Sequence, residues 1–364
     1  MKTRQLHFIK WCVTNKLSDP TMASMDLGTR NFIMACYTAS LVSNGSIFCK
    51  TIKAATISNY LSDAAKLSIM NRLQDPTKTS INQRSPYIRS ILHEHKRWES
   101  MPNRREPLTY NMVNQAIINN TRNHYCTNSL NSALTDWFIL GMVTGARKSE
   151  WCQDRSSILK SGTVTPNIDG SSSAFIFSDF IFEDINGIRR NNDRDTAIFD
   201  AEIVKIKWRF QKNNMNGQVL SYTANHNNPA LCPVRAAMRI RQRAIDLKVP
   251  PSLPLAVFQN GIGHSQYIDD KYVETLLRQL ATQVYNITDT QELSRFTCHS
   301  IRVGACVLLH EANAKSDFIK FRLRWNSDSY LMYLRNTPKL AHQHNMATNF
   351  SSVPTHTQGF FFED

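Results

Sequence analysis

A tyrosine can cut a phosphodiester only where something neutralises the phosphate and the charge that builds on it during attack. Arginine does this best, because its planar fork grips two oxygens and keeps its proton. Toward its C-terminus this chain offers that combination. His299-Ser300-Ile301-Arg302 is followed after 23 residues by Trp325 and after a further 8 by Tyr333, in the run Tyr333-Leu334-Arg335. His299 and Arg302 stand three apart, so on a helix they share one face. Trp325 can donate one hydrogen bond through its indole N–H but cannot carry protons. Tyr330, five residues after Trp325, is the rival nucleophile. A second arginine with a carboxylate beside it lies upstream, in Thr144-Gly145-Ala146-Arg147-Lys148-Ser149-Glu150. There Glu150 falls one helical turn past Arg147, and Gly145 allows a close approach of backbone to substrate. Lys212 sits at the tip of an expected hairpin, with Lys205 and Lys207 on the strand leading to it.

These residues need a scaffold that brings positions 144–150, 212 and 299–333 together. The pattern predicts a mainly α chain with a small β-sheet. Helices are expected over 28–43, 55–73 and 86–100, the second from its stripe Ile57, Tyr60, Leu61, Ala64, Leu67 and Met70, capped by Thr56 or Ser58. Met101–Pro107, rich in proline and charge, reads as a boundary. Beyond it a helix opens at Thr109 as N-cap, and a strongly apolar helix covers 130–143. The runs 174–177 and 180–182 are β-prone. Residues 204–211 set Val204, Ile206, Trp208 and Phe210 against Lys205, Lys207, Arg209 and Gln211, the mark of a half-buried strand with a basic face. A turn at 213–217 and a returning strand over 218–222 complete a hairpin. Helices are then expected over 233–245, 269–284, 298–312, 315–323 and 327–335.

Bulk properties narrow the class. The length of 364 residues suits two domains, and the 41% hydrophobic content is enough to build real cores. A net charge of +14 points to a polyanionic partner, nucleic acid ahead of a membrane surface. That charge is uneven: residues 1–104 carry 15 Lys/Arg against 6 Asp/Glu, and residues 105–364 carry 28 against 23. No run of 18 apolar residues occurs and Met1–Lys10 lacks the core of a secretory leader, so the expectation is a soluble, intracellular protein. Eight scattered cysteines without a C-x-x-C pair read as reduced thiols, with no metal site.

The order Arg147, Lys212, His299, Arg302, Trp325, Tyr333 resembles the catalytic end of tyrosine recombinases, the lambda-integrase superfamily. The T-G-x-R-x-x-E segment at 144–150 and the phrase 324–335 carry the likeness, with Gln211-Lys212-Asn213 and Cys232-Pro233-Val234 extending it over roughly 105–336. In look it is nearest to recombinases of eukaryotic mobile elements of the Crypton and DIRS kind. Trp325 stands where many members have histidine, and its interval to Tyr333 is one residue shorter than is usual. The resemblance implies a helical core-binding domain at 1–104, a catalytic domain at 105–336 and a tail at 337–364 that docks on a neighbour. The two domains would clamp double-stranded DNA in a C-shape. It implies Tyr333 as nucleophile, Arg147 and Arg302 on the phosphate, His299 and Trp325 assisting, and Lys212 as the acid. It further implies no cofactor, a tetramer on two DNA sites, a Holliday junction, no membrane, and a nuclear location if the source is a eukaryotic element. A type IB topoisomerase and a non-catalytic DNA-binding relic are the alternatives.

Overall fold

The computed structural model describes residues 3–46, 48–100, 104–152, 173–189, 200–211 and 216–334. The chain forms two compact units, Met1–Pro102 and Asn103–Asp364. Lys212 and the tail 337–364 lie outside the described residues. The architecture is mainly helical with a small antiparallel sheet.

The first unit holds α1 (Thr3–Thr14), α2 (Leu27–Asn44), α3 (Ala54–Met70) and α4 (Pro86–Arg97). Its core gathers Phe8, Met34, Tyr37, Leu41, Ile57, Tyr60, Leu61, Ala64 and Ile88. The apolar stripe of α3 therefore faces inward over most of its length, while Met70 emerges into solvent. Helix α1 had no counterpart among the helices expected from the sequence. The expected caps of α3 are also not used. Lys53 takes the N-cap position without a side-chain bond, and the Glu99 carboxylate accepts the Ala54 N–H instead. A carboxylate at a helix N-terminus meets both an orphan donor and the positive end of the dipole, so it replaces a local hydroxyl cap.

The second unit is built on α6 (Leu130–Thr144), which follows α5 (Tyr110–Arg122). Thr109 caps α5, its hydroxyl accepting from the Met112 N–H at 3.3 Å. Ten consecutive residues of α6, Ala133–Met142, are buried, as suits a helix that is apolar nearly all round. Asp136 sits among them because two arginines reach it: Arg239 Nε at 2.6 Å and Arg243 Nη2 at 2.6 Å. A buried carboxylate is tolerated only with such partners. After α7 (Lys148–Trp151) come β1 (Phe180–Glu183), β2 (Ile203–Trp208) and β3 (Gln218–Thr223). They form an antiparallel sheet in the order β1-β2-β3, with Phe180 opposite Ile206 and Ile206 opposite Leu220. One face buries Phe182, Val204, Ile206, Trp208, Leu220 and Tyr222, and Lys207 lies exposed on the other, as the alternation implies. The run 174–177 is not a strand; Phe177–Asp179 is a short 3-10 turn into β1.

α8 (Pro233–Asp246) follows, then a hairpin of β4 (Val257–Gln259) and β5 (Ser265–Tyr267), then α9 (Asp270–Tyr285) and α10 (Thr290–Leu293). The unit ends with α11 (His299–Glu311), α12 (Ser316–Leu323) and a 3-10 turn over Asp328–Tyr333. An α-helix over 327–335 had been expected. The Ser327 hydroxyl instead caps a tighter turn by accepting from the Ser329 N–H. α11 contributes Ile301 to the main core and Ala305 and Cys306 to a smaller one with Ile319, Leu323, Tyr330 and Leu334. Its middle is pressed against backbone: a Cβ at Gly304 would lie 2.1 Å from the Leu108 carbonyl oxygen. Gly304→Ala is expected to push Leu108 off α11 and destabilise the unit by about 1–3 kcal/mol. Urea denaturation against wild type measures this.

Candidate active site

Two helix termini and one turn assemble the residues singled out by the sequence. α6 stops at Gly145, which takes a left-handed backbone (φ 57°, ψ 34°). A Cβ there would meet Leu323 Cδ2 at 2.7 Å, so glycine is required for a helix stop and for close packing on α12. The stop turns Arg147 out as N-cap of α7, where Glu150 closes a box. Glu150 Oε2 accepts the Arg147 N–H at 2.7 Å and Oε1 accepts Arg147 Nη1 at 2.9 Å.

Arg302, on the first turn of α11, points into the same corner and is 2% exposed. It donates from Nη1 to the Gly145 carbonyl at 2.6 Å and from Nη2 to the Leu323 carbonyl at 2.5 Å. A guanidinium has five N–H donors, so these two bonds anchor Arg302 and leave capacity for an anion. Its plane lies 4.4 Å from the centre of the Trp325 ring. Burial, with the repulsion of Arg147 and Arg324, pushes Arg302 down to about 9, still protonated at neutral pH.

Tyr333 closes the site. Its hydroxyl stands 2.8 Å from His299 Nε2, and its ring lies 5.4 Å from His299 and 5.6 Å from Trp325. Burial raises the Tyr333 hydroxyl above its ordinary value, with Arg302 pulling the other way. His299 is pushed down to about 4 by its packing and then by Arg302, Arg105 and Arg147, although part of the ring is open to solvent. At neutral pH the pair is therefore a protonated tyrosine beside a neutral imidazole, suited to an O–H donating to Nε2. The Trp325 Nε1–H is buried without a partner among the described residues. Tyr330 is placed differently: it is 2% exposed, packs in the smaller core, and its hydroxyl meets Ser316.

Arg105, Arg147, Lys148, His299 and Arg302, with Glu274 on one wall, line a cleft of about 270 Å³. Lys148 reaches across to Asp270 at 3.0 Å. Such a concentration of cationic side chains suits an anionic group. Lys212 lies outside the described residues. Of the lysines on the strand leading to it, Lys205 is paired with Glu183 at 2.6 Å. The sequence pattern did not single out Arg324, which is fully buried beside Glu150. A basic residue at the end of an amphipathic helix ordinarily reads as a solvated cap, and only its place immediately before Trp325 hinted at more.

No family model matches the chain, and no curated protein matches it. Solved structures do resemble it. The Tn1549 transposon integrase in complex with transposon right end DNA is 12% identical over 87% of this chain and 85% of that one, with a TM-score of 0.43. The XerH site-specific recombinase bound to palindromic difH substrate is 11% identical over 89% of this chain and 72% of that one, at 0.45. The XerA recombinase is 11% identical over 96% and 99%, at 0.37.

The depressed His299 has a consequence for stability. Between its folded value of about 4 and its ordinary 6.5, the folded chain binds fewer protons at this site than the unfolded chain. It therefore contributes stability that is present above 6.5 and is lost as the pH falls toward 4. His299→Gln removes that contribution, so its stability is expected to fall less steeply than that of wild type across this window. Urea midpoints at a series of pH values test the difference in slope.

Proposed function

We propose that this chain cleaves and rejoins double-stranded DNA through a 3′-phosphotyrosine link, as the site-specific recombinase of a mobile element. The observation that carries the reading is the 2.8 Å contact between the Tyr333 hydroxyl and His299 Nε2, beside a cleft lined by Arg147 and Arg302. The net charge of +14 supports a nucleic-acid partner held mainly through its phosphates.

In this reading the Tyr333 oxygen attacks the scissile phosphorus and passes its proton to His299 Nε2 as the new bond forms. Arg147 and Arg302 hold the non-bridging oxygens, and the Trp325 Nε1–H gives one more hydrogen bond. The bond from phosphorus to the 5′-oxygen breaks, and Lys212 protonates the departing oxygen. Rejoining runs the same steps backwards, with a 5′-hydroxyl of a partner strand displacing Tyr333. Because the phosphodiester is exchanged for an ester of similar energy, no nucleotide hydrolysis is required. Four copies on two DNA sites would pass through a Holliday junction, in the nucleus if the element is eukaryotic.

Nicked suicide DNA that traps the covalent intermediate tests this. Wild type is expected to form a metal-independent adduct, Tyr333→Phe to form none, and Tyr330→Phe to retain it. Arg147→Ala and Arg302→Ala are each expected to slow trapping about 10²–10³-fold, the usual loss for one preorganised donor. An adduct with relaxation of supercoils but no strand exchange between two sites would favour a topoisomerase. Wild type that binds DNA and forms no adduct would sink the enzyme reading in favour of a binding relic.

A further inference from the structure

Arg324 ends α12 with a left-handed backbone (φ 59°, ψ 52°), a conformation in which glycine is at ease and a residue with a Cβ is strained. Its side chain is 0% exposed and, unlike those of Arg147 and Arg302, lines no part of the cationic cleft. A buried guanidinium persists only when its partners are built around it, and here one of them, Glu150, also binds Arg147. Arg324 Nη2 donates to Glu150 Oε2 at 2.8 Å, the oxygen that accepts the Arg147 N–H. Nη1 donates to the Thr144 carbonyl at 3.1 Å, in the segment that delivers Arg147. Its face lies 3.9 Å from the centre of the Trp208 ring, tying the cluster to the sheet.

The backbone matters as much as the side chain. Two consecutive carbonyls at this reversal face two arginines: Leu323 O accepts Arg302 Nη2 at 2.5 Å, and Arg324 O accepts Arg147 Nη2 at 3.4 Å. The next residue is Trp325, whose N–H returns to the Lys320 carbonyl at 2.8 Å. We propose that Arg324 is the positioning residue of this site, setting Arg147 through Glu150 and the chain reversal that anchors Arg302 and Trp325. Sharing Glu150 with Arg324 also leaves Arg147 less neutralised than a one-to-one ion pair would, so more of its charge remains for an anion. The inference rests on reading Arg147 and Arg302 as phosphate ligands.

Arg324→Gly separates the side chain from the backbone, because glycine accepts the left-handed conformation and the chain keeps its reversal. With saturating suicide DNA, Arg324→Gly is expected to form adduct about 10²-fold more slowly, the scale of a misplaced catalytic group. Half-saturation by DNA is expected to stay near wild type; the thermal midpoint is expected to fall, because Glu150 loses a buried partner, so rates are compared at a temperature where both proteins are fully folded. Arg324→Lys, which keeps the charge and loses the fork, should fall between the two. Wild-type rates in Arg324→Gly, or slowing that only follows loss of folded protein, would overturn the proposal. A second readout does not need cleavage: side-chain NMR of Arg147, whose Nη protons are expected to be held apart in wild type and averaged by rotation in Arg324→Gly. If wild type forms no adduct, the strand-cleavage reading fails by itself. An Arg147 signal unchanged by Arg324→Gly would then still refute the positioning role.

Discussion

Three guanidiniums, those of Arg147, Arg302 and Arg324, crowd around one buried carboxylate, and the geometry of the second unit's C-terminal half follows from keeping them there. Left alone they would repel one another and seek water, as the lowered values of Arg302 and Arg324 express. Glu150 answers part of that charge by bridging Arg147 and Arg324. Backbone carbonyls supply the rest: Thr144 and Gly145 from the end of α6, Leu323 and Arg324 from the end of α12. The last carbonyls of a helix lack intrahelical partners and carry its negative dipole end, so two helix C-termini are a fitting cradle for cations. Both helices stop on a left-handed residue, Gly145 and Arg324.

The site is thereby set before any substrate arrives. Arg302 is held by two short bonds and the Trp325 ring, and Arg147 by its own N-cap box. An electrostatic site of this kind gains from having its reorganisation cost met during folding. Tyr333 is held more lightly. It sits at the end of a 3-10 turn, whose hydrogen bonds are poorer than those of an α-helix, above a small satellite core rather than the main one. Arg147 and Arg302 thus belong to the closely bonded part of the unit, and the candidate nucleophile lies half-buried against its smaller core. Burial first, and then the same cationic field that would steady a tyrosinate, keep His299 neutral.

Much of the scaffold was legible from the chain. The apolar run of α6, the stripe of α3, the Thr109 cap and the alternation of β2 each encode a local preference strong enough to survive folding. The failures have physical causes as well. α3 is capped by Glu99, a residue distant in sequence, which no local pattern reveals. In the β-prone run 174–177, Phe175 uses its backbone groups on Glu150 and Leu255, neither of them in a strand, so no ladder forms. The stretch after Trp325 has helical composition, yet a serine cap and the packing of Tyr330 tighten it into a 3-10 turn.

The same division holds for the site. Residue type and order by themselves singled out Arg147, His299, Arg302, Trp325 and Tyr333 as a candidate anion-binding, nucleophile-bearing set, because the chemistry open to a side chain is set by its residue type. Spacing left Tyr330 and Tyr333 as rivals. Only the tertiary structure decided that Tyr330 turns into the smaller core toward Ser316 while Tyr333 meets His299. It alone placed Arg324, whose neighbours Glu150, Thr144 and Trp208 lie far off along the chain. Burial and charge pairing are set by contacts between distant segments, and a buried arginine has the same letter in the sequence as a solvated one.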